Sequence, residues 1–247
     1  VLSVLEKLAL AEMCNAVGME DKAAELHHQA RKQSSLIHQT LWDGNAGFYM
    51  DRCESSGEFI PVMSPTGFYP LMLEDVAADR ISCMLEKLFD ENKFWTRFPV
   101  PSVAADDQCF RAEHSYWSGG VWMSYLVYIL RGLFKYDPTA AWKLFDRILD
   151  GIMPMGIPNI FENYNPETGQ GYDAVNFGWA GMLLDVIIRN MLDIRPEKDK
   201  LICGELKCPD SWNDFEINNL PFREKKYNIH GSFKNGSWSC GKILKKV

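Results

Sequence analysis

The sequence has no apolar run approaching the ~20 residues that cross a bilayer, so no helical membrane span is expected within it. Basic residues are also in short supply. The 26 Lys and Arg stand against 33 Asp and Glu, for a net charge of -7. That balance argues against nucleic acid or an anionic membrane as a partner, because both require a basic surface. Closely spaced cysteine pairs are scarce as well. The seven cysteines are an odd number, and Cys203 and Cys208 have no second pair or His cluster to complete a zinc site. Reduced structural thiols and no metal are therefore expected. Asn235-Gly236-Ser237 is a sequon, which means little without a secretory context. No signal peptide is expected in the opening stretch either, since Val1 to Val17 reads as an amphipathic helix without a basic start or cleavage site. The chain opens without Met, as though already inside a helix, and a fragment or processed chain is expected. Its localisation stays open beyond a soluble, globular composition.

What is present is a rhythm of helices and loops. A helix over about Leu2–Val17 ends at Gly18, a favoured cap residue. A second, about Glu20–Trp42, carries Ala23, Leu26, Ala30, Ser34, Ile37 and Leu41 on one face. Turn signals at Asp43-Gly44-Asn45 and Ser55-Ser56-Gly57 flank Phe48-Tyr49-Met50, which predicts a short hairpin. Further helices are expected over about Gly67–Leu73, Ala77–Leu88, Gly120–Phe134, Pro138–Ile152 and Trp179–Leu192. Between them run irregular stretches, Phe94 to Tyr116 and Pro154 to Asn176, and long loops in compact domains are often functional. Leu201 to Val247 alternates apolar and polar residues and reads as strands. The expected class is therefore all-α, a partial toroid of helical hairpins with a small C-terminal β appendage. The expected division is 1–195 for the helical part and 196–247 for the appendage.

The loops are where chemistry would reside. Trp95, Tyr116, Trp117, Trp122, Phe161, Tyr164, Tyr172 and Trp179 lie in or beside them, and flat aromatic faces at a cleft suit the apolar faces of sugar rings. The alternative is that these rings anchor the loops to the core. Carboxylates share the same loops: Asp106, Asp107, Glu113, Glu162, Glu167 and Asp173. Glycoside hydrolysis needs a pair, one donating a proton to the leaving oxygen and one activating water or attacking carbon. Composition does not choose among these acids, and most loop acids are solvated. Asp106-Asp107 also suits a helix cap or a loop brace, Glu167 suits a turn, and His114 a hydrogen-bonding wall. No Ser-His-Asp motif or phosphate-binding glycine loop competes.

Several blocks resemble glycoside hydrolase family 63 and its bacterial mannosylglycerate hydrolase relatives. Trp95-Thr96-Arg97-Phe98-Pro99-Val100-Pro101-Ser102-Val103-Ala104-Ala105-Asp106-Asp107 is similar to the segment before the family's cleft motif. Tyr116-Trp117-Ser118-Gly119-Gly120-Val121-Trp122 resembles that motif, which is related to a trehalase signature. Glu162-Asn163-Tyr164-Asn165-Pro166-Glu167-Thr168-Gly169, followed by Asn176-Phe177-Gly178-Trp179, resembles the segment holding the family's C-terminal catalytic glutamate. Leu41-Trp42-Asp43 with Gly47-Phe48-Tyr49 is a further match, and the blocks keep the family's order across about Leu5 to Leu192.

The resemblance implies an (α/α)6 toroid that hydrolyses an α-glucosidic or α-mannosidic bond with inversion. It implies Glu162 as general base, with Tyr116, Trp117, Trp122, Trp179, Asp107 and Tyr164 binding an oligosaccharide or small glycoside. No cofactor is implied, since two carboxylates and water suffice. An inverting pair stands ~6.5–9.5 Å apart. The family's general acid, an aspartate, lies upstream of the first residue here, and only about half the helices of a closed ring are expected. The implied partner is the missing N-terminal half of the toroid. Gly120 stands where the family usually carries proline, which removes a fixed φ from the loop. A non-catalytic or degenerate carbohydrate-binding fragment of the same fold is the alternative.

Overall fold

A computed structural model describes every residue except 114–115, 154–159, 177, 199, 210, 235, 241–243 and 247. Helices α1 (Leu2–Ala16) and α2 (Glu20–Thr40) form an antiparallel hairpin. The stripe read from the sequence of α2 is the one buried, with Ala23, Leu26, Ala30 and Ile37 packed inward. Ala11 and Cys14 of α1 meet Ala23 and Leu26 in a small separate cluster.

The expected hairpin follows as β1 (Trp42–Asp43) against β2 (Phe48–Tyr49), with Trp42 opposite Tyr49. The Asp43 carboxylate closes its turn by accepting from the amide of Asn45 at 2.8 Å. Pro65–Met72 then winds as a 3-10 helix containing Pro70. Proline removes a backbone donor, which suits a short tight segment better than an extended α-helix.

Helix α3 (Ala78–Leu88) leads into the irregular stretch, and α4 (Met123–Tyr136) emerges from it. The central helix is α4, which buries Met123, Leu126, Val127, Ile129, Leu130, Leu133 and Phe134. Helix α5 (Pro138–Ile152) begins where Pro138 predicts. Pro138 occupies the first turn, and the Asp137 carboxylate accepts from the amide of Ala140 at 2.9 Å. Helix α6 (Ala180–Asp185) continues as a π-helical segment, Val186–Met191.

The strand content is larger than an all-α class allows. Helices make up 44% and strands 22% of the chain, so the architecture is mixed. Part of the difference lies between α4 and its neighbours. Strands β3 (Val121–Trp122), β4 (Phe161–Tyr164) and β5 (Gly171–Val175) form an antiparallel sheet in that order; β4 and β5 lie in a stretch expected to be irregular, and β3 where the helix from Gly120 was expected to begin. The rest is C-terminal. β6 (Ile194–Glu197) pairs with β7 (Lys200–Cys203), while β8 (Asp214–Phe222), β10 (Ser237–Cys240) and β11 (Leu244–Lys246) all pair with β9 (Lys225–Lys234). Ile194, Leu201, Tyr227 and Ile229 of these strands join the same buried cluster as Val4, Leu130 and Phe145.

No described helix is long and apolar enough to cross a membrane.

Candidate active site

The three sequence blocks that carry the loop chemistry are brought together and tied by main-chain bonds. The amide of Phe98 donates to the carbonyl of Pro166 at 2.9 Å, joining the first block to the third. The first and second meet at Ser102, whose amide donates to the carbonyl of Gly120 at 3.0 Å. The buried Ser102 hydroxyl accepts from the amide of Gly119 at 2.9 Å. Asn165 ties the third block to the connection between the first two, donating to the carbonyl of Ala112 at 2.7 Å. Its side-chain oxygen also accepts from the amides of Glu167 and Thr168 at 2.8 and 2.9 Å, which assigns Glu167 to a turn.

On this frame stands a wall of aromatic rings. Trp117 stacks on Trp122 with centroids 3.9 Å apart and planes 18° from parallel. Tyr116 meets both edge-on, at 5.4 Å from Trp117 and 5.0 Å from Trp122. Trp179 also meets Trp122 edge-on, at 6.0 Å. Tyr116 and Trp117 face solvent, at 58% and 41% exposure, whereas Trp122 is 1% exposed beneath them. The wall therefore has a wet outer layer that a sugar ring can reach and a dry inner layer that supports it.

The loop bearing the outer layer is under strain. Tyr116 has a φ of 58°, a left-handed conformation that costs a side chain about 1–3 kcal/mol. It is held there by bonds to its own carbonyl from the amide of Gly120 at 3.3 Å and the indole of Trp122 at 3.4 Å. A proline at position 120 would have no N–H to give, so the glycine fastens this loop rather than loosening it. Gly119 is required for another reason, since a Cβ there would lie 1.9 Å from the carbonyl oxygen of Arg111.

Glu162 is half-buried on β4, between Phe161, which pairs with Val175, and Asn163, which pairs with Tyr172. Asp173 and Ala174 both face this single residue, so β5 bulges opposite Glu162. Bulges of this kind re-aim side chains and recur beside active sites. Asp173 takes the extra turn with a φ of 62°, and its carboxylate accepts from the Asn163 amide group at 2.5 Å. The main-chain oxygen of Glu162 in turn accepts from the Trp179 indole at 3.3 Å. The strand carrying Glu162 is thereby clamped between the bulge and the aromatic wall.

Two further expected lining residues have structural contacts of their own. Tyr164 is 0% exposed, stacked on Phe98 at 4.1 Å, and its hydroxyl accepts from the amide of Phe161 at 2.9 Å. It belongs to the core beneath the sheet and has no surface to offer a ligand, and burial pushes its phenol up to about 12. Asp107 turns its carboxylate onto its own loop, accepting from the amide of Cys109 at 2.7 Å, and so braces that turn. Asp106 pairs with Lys93. Trp95 packs on Phe89 and lies near Lys143 and Arg147. His114 lies outside the described residues. Among the described residues no cluster of three or more His, Cys, Asp or Glu side chains is placed to hold a metal ion.

Three residues that organise the site were passed over in the sequence: Ser102, Asn163 and Asn165. All are buried and polar, and such groups are almost always bonded. Two of them stand inside the Glu-Asn-Tyr-Asn block, where alternating amides were the available signal.

The sequence profile of the mannosylglycerate hydrolase MGH1-like glycoside hydrolase domain matches residues 2–180. The mannosylglycerate hydrolase of Rubrobacter radiotolerans is 31% identical over 185 residues, which cover 72% of this chain and 40% of that protein. Among solved structures, the GH63 mannosylglycerate hydrolase of Thermus thermophilus in complex with Tris and D-glycerate is 26% identical. It covers 73% of this chain and 43% of its own, with a TM-score of 0.62. A structure named as a sialidase follows 98% of this chain with a TM-score of 0.78, and 24% of its own. At 18% identity that likeness is one of fold alone. The chain thus spans less than half the length of each of these proteins.

Proposed function

Because the chain belongs to the mannosylglycerate hydrolase MGH1-like family of glycoside hydrolases, we propose that it carries one catalytic carboxylate, Glu162, of an inverting α-glycosidase. In this reading Glu162 is the general base that activates water. The acid is an aspartate from a part of the ring that this sequence does not contain. Residues 1–195 are then part of an (α/α)6 toroid and residues 196–247 its β-rich appendage. The bond cleaved is α-mannosidic or α-glucosidic, in an oligosaccharide or a small glycoside.

One observation carries the reading: the Trp179 indole holds the main chain of Glu162 while its ring abuts Trp122. The carboxylate-bearing strand is thus fixed relative to an exposed aromatic wall. A general base needs that fixed relation, because water must lie between the carboxylate and the anomeric carbon. Tyr116 and Trp117 supply the stacking surface, with Trp122 beneath them. Trp179 fixes the strand, while Asp107 and Tyr164 serve by holding the surrounding loops.

The test is Glu162→Gln in the complete protein. Turnover of an α-mannoside or α-glucoside should fall by about 10²–10⁴-fold, the usual share of a general base. Affinity should change little, and the unaltered enzyme should release the β anomer first, read by proton NMR. Retained turnover in the variant would remove Glu162 from this role, and release of the α anomer would exclude inversion.

A second reading is favoured by the exposure of Tyr116 and Trp117. The chain alone is then a carbohydrate-binding fragment. Saturable sugar binding without release of reducing sugar, by the complete natural product, would establish it.

A further inference from the structure

The aromatic wall does not end at Trp117. Tyr125, in the first turn of α4, meets Trp117 edge-on with centroids 5.5 Å apart. Tyr69, on the 3-10 helix Pro65–Met72, lies 6.2 Å from Tyr125 and 5.2 Å from Tyr128. A file of rings thus leaves the exposed pair and crosses from α4 to the 3-10 helix. All three tyrosines are half-buried. Their phenol oxygens have no hydrogen-bond partner among the described residues and none is sealed from solvent, so all three are open to a ligand.

Tyr69 also lines a cavity of ≈ 360 Å³, whose other polar lining is Ser3, Tyr49, Asp51 and Thr66. That volume falls within the range of small-ligand pockets, ~300–1,000 Å³. No lysine or arginine lines it, which disfavours an anionic ligand. Asp51 follows β2 and is exposed, and among the described residues its carboxylate has neither an ion pair nor a hydrogen bond. Burial first, and the Asp51 charge second, push the Tyr125 phenol up, in keeping with an acid close to the file of rings. Ser3 Oγ accepts from Lys7 Nζ at 2.8 Å, which leaves its own O–H to donate.

The geometry points to a second sugar subsite, in which Asp51 and Tyr125 bind the hydroxyls of a ring joined to the one that stacks on Trp117. It rests on the wall being the first subsite. The chemistry is that of a neutral polyol. Adjacent hydroxyls donate to the two oxygens of one carboxylate, phenols and Ser3 supply further bonds, and tyrosine rings cover the C–H faces. An aglycone carrying its own carboxylate would be repelled by the unpaired Asp51. The substrate is therefore a neutral disaccharide or longer chain rather than a glycoside of a small acid.

The experiment is calorimetric titration of the complete protein with methyl α-mannoside and methyl α-glucoside, and with S-linked α-disaccharides of the same sugars, which resist hydrolysis. The quantity read is the ratio of disaccharide to monosaccharide affinity. It should be about tenfold or more in the parent and fall to about one in Asp51→Ala. Tyr125→Phe, which keeps the ring, should lower the ratio in part. Trp117→Ala should weaken both ligands together, which tells a fault in the wall from a fault in the second subsite. Circular dichroism establishes that each variant is folded. A parent that binds both ligands alike would overturn the second subsite and leave the wall in place, and so would a ratio unmoved in folded Asp51→Ala or Tyr125→Phe. Ligands that bind the parent and Trp117→Ala equally would overturn the wall, and the subsite with it.

Discussion

The indole N–H of Trp179 points at the main-chain oxygen of Glu162, 3.3 Å away. A residue seventeen positions along the chain, at the N-terminus of α6, thereby sets where the strand carrying the candidate base lies. Trp179→Phe keeps an aromatic ring and removes the donor together with part of the indole surface. A bond of this kind is worth about 1 kcal/mol, so kcat should fall by no more than about tenfold, with KM nearly unchanged. Steady-state kinetics of the complete enzyme measure this, and an unaltered kcat would reduce Trp179 to packing.

Trp117 is the exposed half of a stacked pair. Trp117→Ala removes the outer face and uncovers Trp122, so affinity for a glycoside should drop by about tenfold or more, near 1.4 kcal/mol. Calorimetric titration on the Glu162→Gln background separates this loss from turnover. Equal affinity in the two proteins would move the sugar site away from the wall.

Gly119 has no room for a side chain. Gly119→Ala places a methyl 1.9 Å from the Arg111 carbonyl, and the loop must move to relieve it. Overpacking of this kind costs roughly 1–3 kcal/mol. The expected result is a lower Tm with a changed near-ultraviolet circular dichroism from the tryptophan cluster. A spectrum identical to the parent would mean that the loop absorbs the methyl elsewhere.

Alkaline pH should find Tyr164. Burial raises its phenol from 10.0 to about 12. The group is neutral in the fold and ionises more readily when unfolded. Its contribution to stability is complete below pH ~10 and is lost as pH rises toward ~12. In Tyr164→Phe that part of the alkaline loss should vanish. Stability at neutral pH should fall by about 1 kcal/mol, because the Phe161 amide loses its acceptor. Denaturant titrations at neutral pH and at about pH 11 compare the two, and parallel losses would rule the phenol out.

The helices were legible because their signals are local. α5 begins at Pro138 as expected, and the stripe from Ala23 to Ile37 marks the buried face of α2. Strands β4 and β5 were not legible. Phe161-Glu162-Asn163-Tyr164 has no β-branched residue, and it extends because Val121 and Trp122, far away in sequence, pair with Tyr164 and Asn163. The aromatic cluster could be found but not sorted. Tyr116 and Tyr164 stand in equally polar surroundings in the sequence, yet one is 58% exposed and the other sealed. Depth in a wall depends on which loops cross it, which no single segment encodes.

The loops around the candidate base are sewn together by main-chain amides and carbonyls and by the side chains of Ser102, Trp122, Asn163, Asn165 and Trp179, all of them apart from the exposed rings of Tyr116 and Trp117. Shape and chemistry are therefore inherited separately. Substitutions at the exposed positions 116 and 117 can alter what the surface prefers without unpicking the frame beneath. On the proposed reading, a lineage built this way changes its preference among sugars by single steps, each passing through a folded protein.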